Sequence, residues 1–245
     1  MNVRLTDRDV RILARLAVAR WLTTAQIHRA YFPEATLNAV QKRLRKLSDA
    51  GYLRSYREHP TAEAVHAVGP KGKTLVEEKG IEAVLGEEIP RQLEHLLGVN
   101  EVRIAIESSA VGIAFFFTYV QLAGLGWRHP TIPDAIFAVN APAKRAFLLE
   151  YDRGTETLGR LLQKLESYGK GIEGFSFEAV VIVTERPRRF DVLSRELRKK
   201  GGALTVMFAN LDEVKEAGIF ETKFEELSSG RKRALLVPPE GEAVP

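Results

Sequence analysis

The sequence predicts an α/β chain, α+β overall, made of two domains: a basic helical domain ending in a β-hairpin, then a domain built on a mixed sheet. Three observations predict it. The chain has 245 residues, more than the roughly 100–200 typical of one domain. Its charge is uneven: residues 1–80 carry 15 Lys/Arg against 8 Asp/Glu, and the remainder carries 21 against 24. Apolar residues recur at helical spacing up to about residue 109 and in short β-compatible runs after it. An electropositive half beside a mildly acidic one points to a polyanionic partner for the first.

The first helix is expected over Thr6–Ala19, with Val10, Leu13, Leu16 and Ala17 on one stripe. Thr6 is its N-cap, and Asp7 and Asp9 suit the positive end of the helix dipole. Thr23 and Thr24 can cap a short second helix ending before Pro33. A third runs from about Ala35 to Ala50, with Leu37, Val40, Leu44 and Leu47 facing inward and Gly51 ending it. Residues 52–57 and 64–68 then read as two strands around a turn containing Pro60. Three helices and a hairpin is the order of a winged helix-turn-helix, in which the third helix enters the DNA major groove. Asn38, Gln41, Lys42, Arg45 and Lys46 fall on its outward face, and Arg54, Arg57 and His59 on the wing. Asn and Gln can read adenine edges, and Lys and Arg can read guanine edges or neutralise phosphates. Residues 1–80 are therefore expected to form a domain that binds double-stranded DNA.

A further helix is expected over Lys71–Lys79, a boundary over residues 80–90, and another helix from Ile89 to about Ser109. The apolar stretch Val111–Leu125 reads as buried core, too interrupted for a transmembrane helix. Strands are expected at 115–117, 135–139, 146–149, 177–183 and 204–208, with helices at 156–168 and 190–200. The middle strands are joined too closely for crossover helices, so the sheet is mixed. The tail from Val237 is expected to be disordered. Acidic residues in the N-terminal segment argue against a signal peptide, and the location expected is cytoplasmic.

With no cysteine, the chain has no disulfide, thiolate metal site or cysteine nucleophile. Histidines 28, 59, 66, 95 and 129 show no HxxxH or HExxH spacing; His95 is expected to pack in its helix. Ser108-Ser109 lacks a GxSxG nucleophile elbow, and the glycines at 69, 72, 80 and 86 form no GxGxxG or Walker loop. The run Arg186, Arg188, Arg189 after a strand end could touch phosphate or simply be solvated.

Carboxylates mark the second domain, expected over residues 89–236. Asp134 follows Pro133 at a strand start, and Glu150 and Asp152 share a strand face because they are two apart. Glu101 lies on the preceding helix and Lys164 on the following one. Acids from adjacent strand ends can hold a divalent cation, and a lysine beside them can orient water or stabilise phosphoryl charge.

This arrangement is similar to the PD-(D/E)XK nuclease core, in which a helix acid, a strand PD and an acid-x-Lys motif bind magnesium and cut DNA. The chain as a whole resembles the replication-relaxation family from about Leu5 to Val183. The likeness rests on LTDRD, LTTAQI, AVQKRLRKL, GYLR, HLLGVNE, PDAIF, LEYDRGTE and KLESY. The resemblance implies a DNA-binding protein of plasmid or mobile-element replication or transfer, a winged helix followed by a nuclease-like domain. One departure bears on activity: Asp152 stands where the nuclease pattern has lysine, leaving Lys164 as a displaced substitute. A non-catalytic second domain is expected, with the acids paired to Arg153 and Lys164. The alternatives are an endonuclease using Mg or Mn held by Asp134, Glu150 and Asp152, and a transcriptional regulator sensing a ligand. Expected partners are duplex DNA, replication or transfer proteins and a second copy of the chain, with no membrane.

Overall fold

The computed structural model describes residues 3–85, 88–141, 143–200 and 204–236. The chain separates into two compact units, 1–100 and 101–245. The expected tail lies outside the described residues.

The N-terminal unit begins with α1 (Asp7–Ala19), capped by Thr6 as the sequence predicts. Asp9 does more than complement the dipole: its carboxylate accepts from the Thr6 amide (2.6 Å) and hydroxyl (2.7 Å). Strand β1 (Leu22–Thr23) precedes α2 (Thr24–Tyr31), where Thr23 and Gln26 form a capping box. Helix α3 spans Leu37–Asp49 behind the N-cap Thr36. Val40, Leu44 and Leu47 are buried as expected, but Leu37 is 46% exposed. As the first residue of the helix it precedes the turn that packs on the core.

Strands β2 (Leu53–Tyr56) and β3 (Val65–Val68) form the expected hairpin, and β1 adds to its far side, giving the order β1-β3-β2 with all pairs antiparallel. A two-residue strand carries too little periodicity to be read from sequence. Helix α4 (Pro70–Glu77) packs so closely on the Tyr52 carbonyl that a Cβ at Gly72 would approach its oxygen to 2.2 Å. Helix α5 runs from Leu93 to Glu107. Its first residues belong to this unit: Leu96 packs with Trp21, Val65 and Ala67, and the Asn100 amide donates to the Ala19 and Trp21 carbonyls.

The second unit is organised on a sheet with seven strands among the described residues, β4 (Gly112–Thr118), β5 (Ala135–Asn140), β6 (Lys144–Asp152), β7 (Ala179–Thr184), β8 (Val206–Asn210), β9 (Phe224–Glu226) and β10 (Lys232–Arg233). Their spatial order is β10-β9-β8-β7-β6-β5-β4. β4, β5 and β6 pair antiparallel, β6, β7 and β8 parallel, and β8, β9 and β10 antiparallel. The parallel pairs require crossovers, supplied by α7 (Leu158–Gly169) and α8 (Phe190–Lys200).

The 111–125 stretch is not continuous core. It divides into the outer strand β4 and the short helix α6 (Tyr119–Gly124), and Leu125 is 66% exposed. Helix α9 (Leu211–Ala217), β9 and β10 were not expected, since short amphipathic pieces give weak periodicity. On one sheet face Ile136, Leu148, Val180, Ile182 and Val206 pack with Leu161, Leu165 and Tyr168 of α7 and with Phe190 and Leu193 of α8. On the other, Phe116, Phe137 and Phe147 stack in a row, with the Arg103 guanidinium over Phe116. No helix among the described residues is long and apolar enough to cross a membrane.

Candidate functional sites

The first site is the outer face of α3. Asn38, Gln41, Lys42, Arg45 and Lys46 are all exposed on it. Arg43, among them in sequence, turns inward: its Nε donates to Asp9 Oδ1 at 2.9 Å, and a second nitrogen ion-pairs with Oδ2. Burial tends to raise the Asp9 pKa. Hydrogen bonds from Arg43 and Thr6 outweigh that and hold it below the ordinary carboxylate range. One cationic side chain thus ties α3 to α1, while its neighbours stay in solvent.

The hairpin stands beside this face. Gln41, Arg45 and Arg57 line one cleft of about 200 Å³ together with Ser55 and Tyr56. Arg57 also donates to the Pro60 carbonyl, and His59 lies within 3.0 Å of the Thr61 hydroxyl, which shapes the turn. Arg54 is half-buried and lines a different cleft with Trp21 and Leu53, apart from Arg45 and Arg57. The strand alternation separates it from them.

Sequence reasoning missed two residues here. Tyr56 is a large aromatic 46% exposed on the wing. His66 is buried between the Thr24 hydroxyl (2.9 Å) and the Ser55 hydroxyl (2.8 Å), and burial, with the nearby Arg57 charge, lowers its pKa to about 4. All four residues of β3 are buried, so alternation offered no signal for it, and the two hydroxyls come from other elements.

The second site is the set of carboxylates on β5 and β6, which the fold sorts into separate duties. Glu150 is buried on the face covered by α7. Lys164 Nζ donates to its Oε2 at 2.8 Å, and the Tyr168 hydroxyl to its Oε1 at 2.5 Å. Lys164 and Tyr168 are one helical turn apart, so both reach the same carboxylate. Burial, reinforced by Asp134, raises the Glu150 pKa to about 7 despite the lysine. Desolvation works against the Lys164 ammonium, but Glu150 and Asp134 overcome it and hold its pKa above the ordinary value.

Asp152 has different partners. Its Oδ1 accepts from the Gly154 amide (3.0 Å) and Arg189 (3.1 Å), and its Oδ2 from the Thr184 hydroxyl (3.0 Å). Gly154 sits at φ +81°, and a Cβ there would come 2.7 Å from Arg186 Cγ, so the DRG turn requires glycine. Asp134 Oδ2 accepts from the Tyr151 amide at 2.7 Å, continuing the β5–β6 pairing by a side chain. The charge of Glu101 is felt at the Tyr151 phenol, which donates to Glu185. Tyr151 points to the sheet face opposite Glu150.

The structure thus brings Asp134, Glu150 and Lys164 into mutual electrostatic range and gives Asp152 and Glu101 other partners. These acids are held within the protein by its own donors. Both oxygens of Glu150 and both of Asp152 already accept bonds from protein donors. Among the described residues no group of three or more His, Asp or Glu is arranged to hold a metal ion. Of the trio expected from sequence to hold a metal, Asp134 lies within electrostatic reach of Glu150, while Asp152 is held by Arg189, Thr184 and the Gly154 amide. The expected partner of the acids, Arg153, has its counterpart in Arg189 at Asp152. Tyr168 was missed, although the Lys-x-x-x-Tyr spacing of KLESY was an available signal, and Arg189, read from sequence as touching phosphate or solvated, instead pairs with Asp152.

The fold and sites define a chain with a basic helical unit and an α/β unit whose acids are internally paired. This chain belongs to the replication-relaxation family, whose model matches residues 13–178. Two solved variants of Lactococcus lactis ZitR match at 23% identity and a TM-score of 0.25, covering 33% and 32% of this chain and 53% of theirs, so each match spans about half of ZitR. No curated protein matches.

Proposed function

We propose that this chain is a double-stranded DNA-binding protein of plasmid or mobile-element replication or transfer. In this reading residues 1–80 are a winged helix-turn-helix domain and residues 89–236 a nuclease-like domain that does not cut DNA. The observation carrying the first part is the outer face of α3, where five polar or basic side chains stand exposed beside a hairpin that contributes Arg57. Such a face can reach base edges while its cations neutralise phosphates. Family membership supports the replication role. The internal pairing of Glu150 and Asp152 supports a scaffold over a catalyst.

Footprinting on the DNA around the gene tests the biological role. Protection of a replication or transfer origin is expected; protection of a promoter alone would favour a transcriptional regulator. Incubation with plasmid and Mg²⁺ or Mn²⁺ tests the second domain, with Glu150→Ala as control. Intact DNA with both proteins is the expected result, and cleavage by the wild type alone would establish an endonuclease.

A further inference from the structure

The second unit has a large open groove that neither site uses, about 1090 Å³ in volume. It lies where the loops at 126–131 and 171–178 stand away from the sheet face that α7 and α8 cover farther along. Its lining is aromatic: Phe115, Phe117, Trp127, Phe175 and Phe177 all contribute, and each is only half-buried. The rings are held in fixed relation. Phe115 and Phe117 stack with centroids 5.3 Å apart and planes 13° from parallel. Phe175 stacks on Phe177 at 6.4 Å and meets Trp127 edge-on at 6.0 Å. The indole is anchored by its own hydrogen bond to the Thr131 carbonyl.

The charge around these rings is positive. Lys144 is exposed, with its ammonium 4.9 Å from the Phe115 centroid, and Arg128 is exposed on the facing loop. Lys170, one residue before the lining begins at Gly171, is exposed as well. Of the two lining glutamates, Glu178 is held bidentately by Arg145 at 2.6 and 2.5 Å, leaving Glu173 as the acidic contribution. Half-open rings rimmed by cations are the chemistry that accepts unstacked bases while fixing the phosphates between them. A duplex keeps its bases stacked inside and cannot present them to rings recessed in a groove.

We infer that this groove binds single-stranded DNA, its bases stacking on the Phe and Trp rings and its phosphates meeting Arg128 and Lys144. The site is independent of the α3 face, so the chain would hold duplex through one unit and an exposed strand through the other.

The chain has two tryptophans, and Trp127 lies in the groove. In full-length protein carrying Trp21→Phe, and Lys42→Ala, Arg45→Ala and Lys46→Ala to remove the duplex face, oligo(dT) should quench Trp127 fluorescence saturably. Phe175→Ala should weaken oligo(dT) binding at least tenfold. Arg128→Glu with Lys144→Glu should weaken it similarly and flatten its loss with salt, without disturbing the apolar core; circular dichroism checks the fold of each. With the α3 face intact, duplex affinity should not change in either groove variant. Absence of quenching, or oligo(dT) affinity unaltered by the charge reversals, would overturn the inference. So would groove variants that change the sedimentation of the free protein while leaving oligo(dT) binding intact, since the groove would then be a surface between copies of the chain. Loss of duplex binding in the α3 variant with quenching retained would keep this result separate from the fate of the duplex reading.

Discussion

The two units treat charge in opposite ways. In the N-terminal unit a single cation of α3, Arg43, is drawn inward to Asp9, and its neighbours Lys42, Arg45 and Lys46 remain exposed. In the C-terminal unit the charges that might have met a ligand are turned onto each other: Glu150 onto Lys164 and Tyr168, Asp152 onto Arg189 and Thr184. A cation left in solvent is available to a polyanion. A buried acid already paired with protein donors has its charge met inside the fold. This difference supports the proposal that the first unit is a binding surface and the second a scaffold, although the sequence marks both with charged residues.

The sharpest way to break this comparison is to remove the inward cation. Arg43→Ala leaves Asp9, 1% exposed, without its cation and should destabilise the N-terminal unit by about 3 kcal/mol, measured by urea unfolding. Arg45→Ala, two residues away, should change stability by no more than about 0.5 kcal/mol. Equal costs would mean that α3 does not divide its cations as described.

Next in size is DNA affinity. Replacing Lys42, Arg45 and Lys46 together by alanine should weaken duplex binding roughly a hundredfold, and reduce the slope of log K against log salt by about 2–3. Fluorescence anisotropy at several salt concentrations checks both. An unchanged slope would move the phosphate contacts to another face.

The buried titratable groups sharpen the contrast further. His66 has a folded pKa of about 4, below its unfolded value of 6.5. The unfolded chain therefore takes up the proton first as pH falls, and the N-terminal unit should lose about 2–3 kcal/mol between pH 6.5 and 4. Glu150 has a folded pKa of about 7, above its unfolded value of 4.5. Its contribution is fully present below pH 4.5 and is lost as pH rises towards 7. Over pH 4.5–6.5 the two units should respond with opposite sign. Trp21 and Trp127 each report one unit, so unfolding of the two single-tryptophan variants at a series of pH values measures the effect. Parallel responses would count against the burial of one of the two groups.

A last contrast lies along the apolar face of α3. Leu44→Ala should cost about 2–4 kcal/mol because it opens a cavity, whereas Leu37→Ala should stay within about 0.5 kcal/mol. The difference between the two, measured by thermal melts, tests where the buried stripe begins.

Much of the fold was legible because its signals are local. Thr6, Thr23 and Thr157 each cap a helix through their own hydroxyl. The 3.6-residue period of α1, α3 and α7 places their apolar stripes without reference to the rest of the chain. The apolar runs of β5, β6 and β7 mark strands buried on both faces. Periodicity failed at Leu37, which continues the stripe in sequence but lies before the first packed turn. It failed again over 111–125, where Gly112, Gly124 and a capping Thr118 divide an apolar stretch into an outer strand and a short helix.

The sequence by itself determined the longer helices, the hairpin, the mixed sheet and the exposed basic face of α3, since each follows from spacing along one element. Only the tertiary structure decided what the buried charges do. Whether Glu150 faces a cation from solvent or a lysine and a tyrosine from α7 depends on where a separate helix crosses the sheet. Whether His66 titrates depends on its burial within the folded unit and on the charge of Arg57. Pairing and desolvation are set by neighbours distant in sequence, and no spacing within one element encodes them.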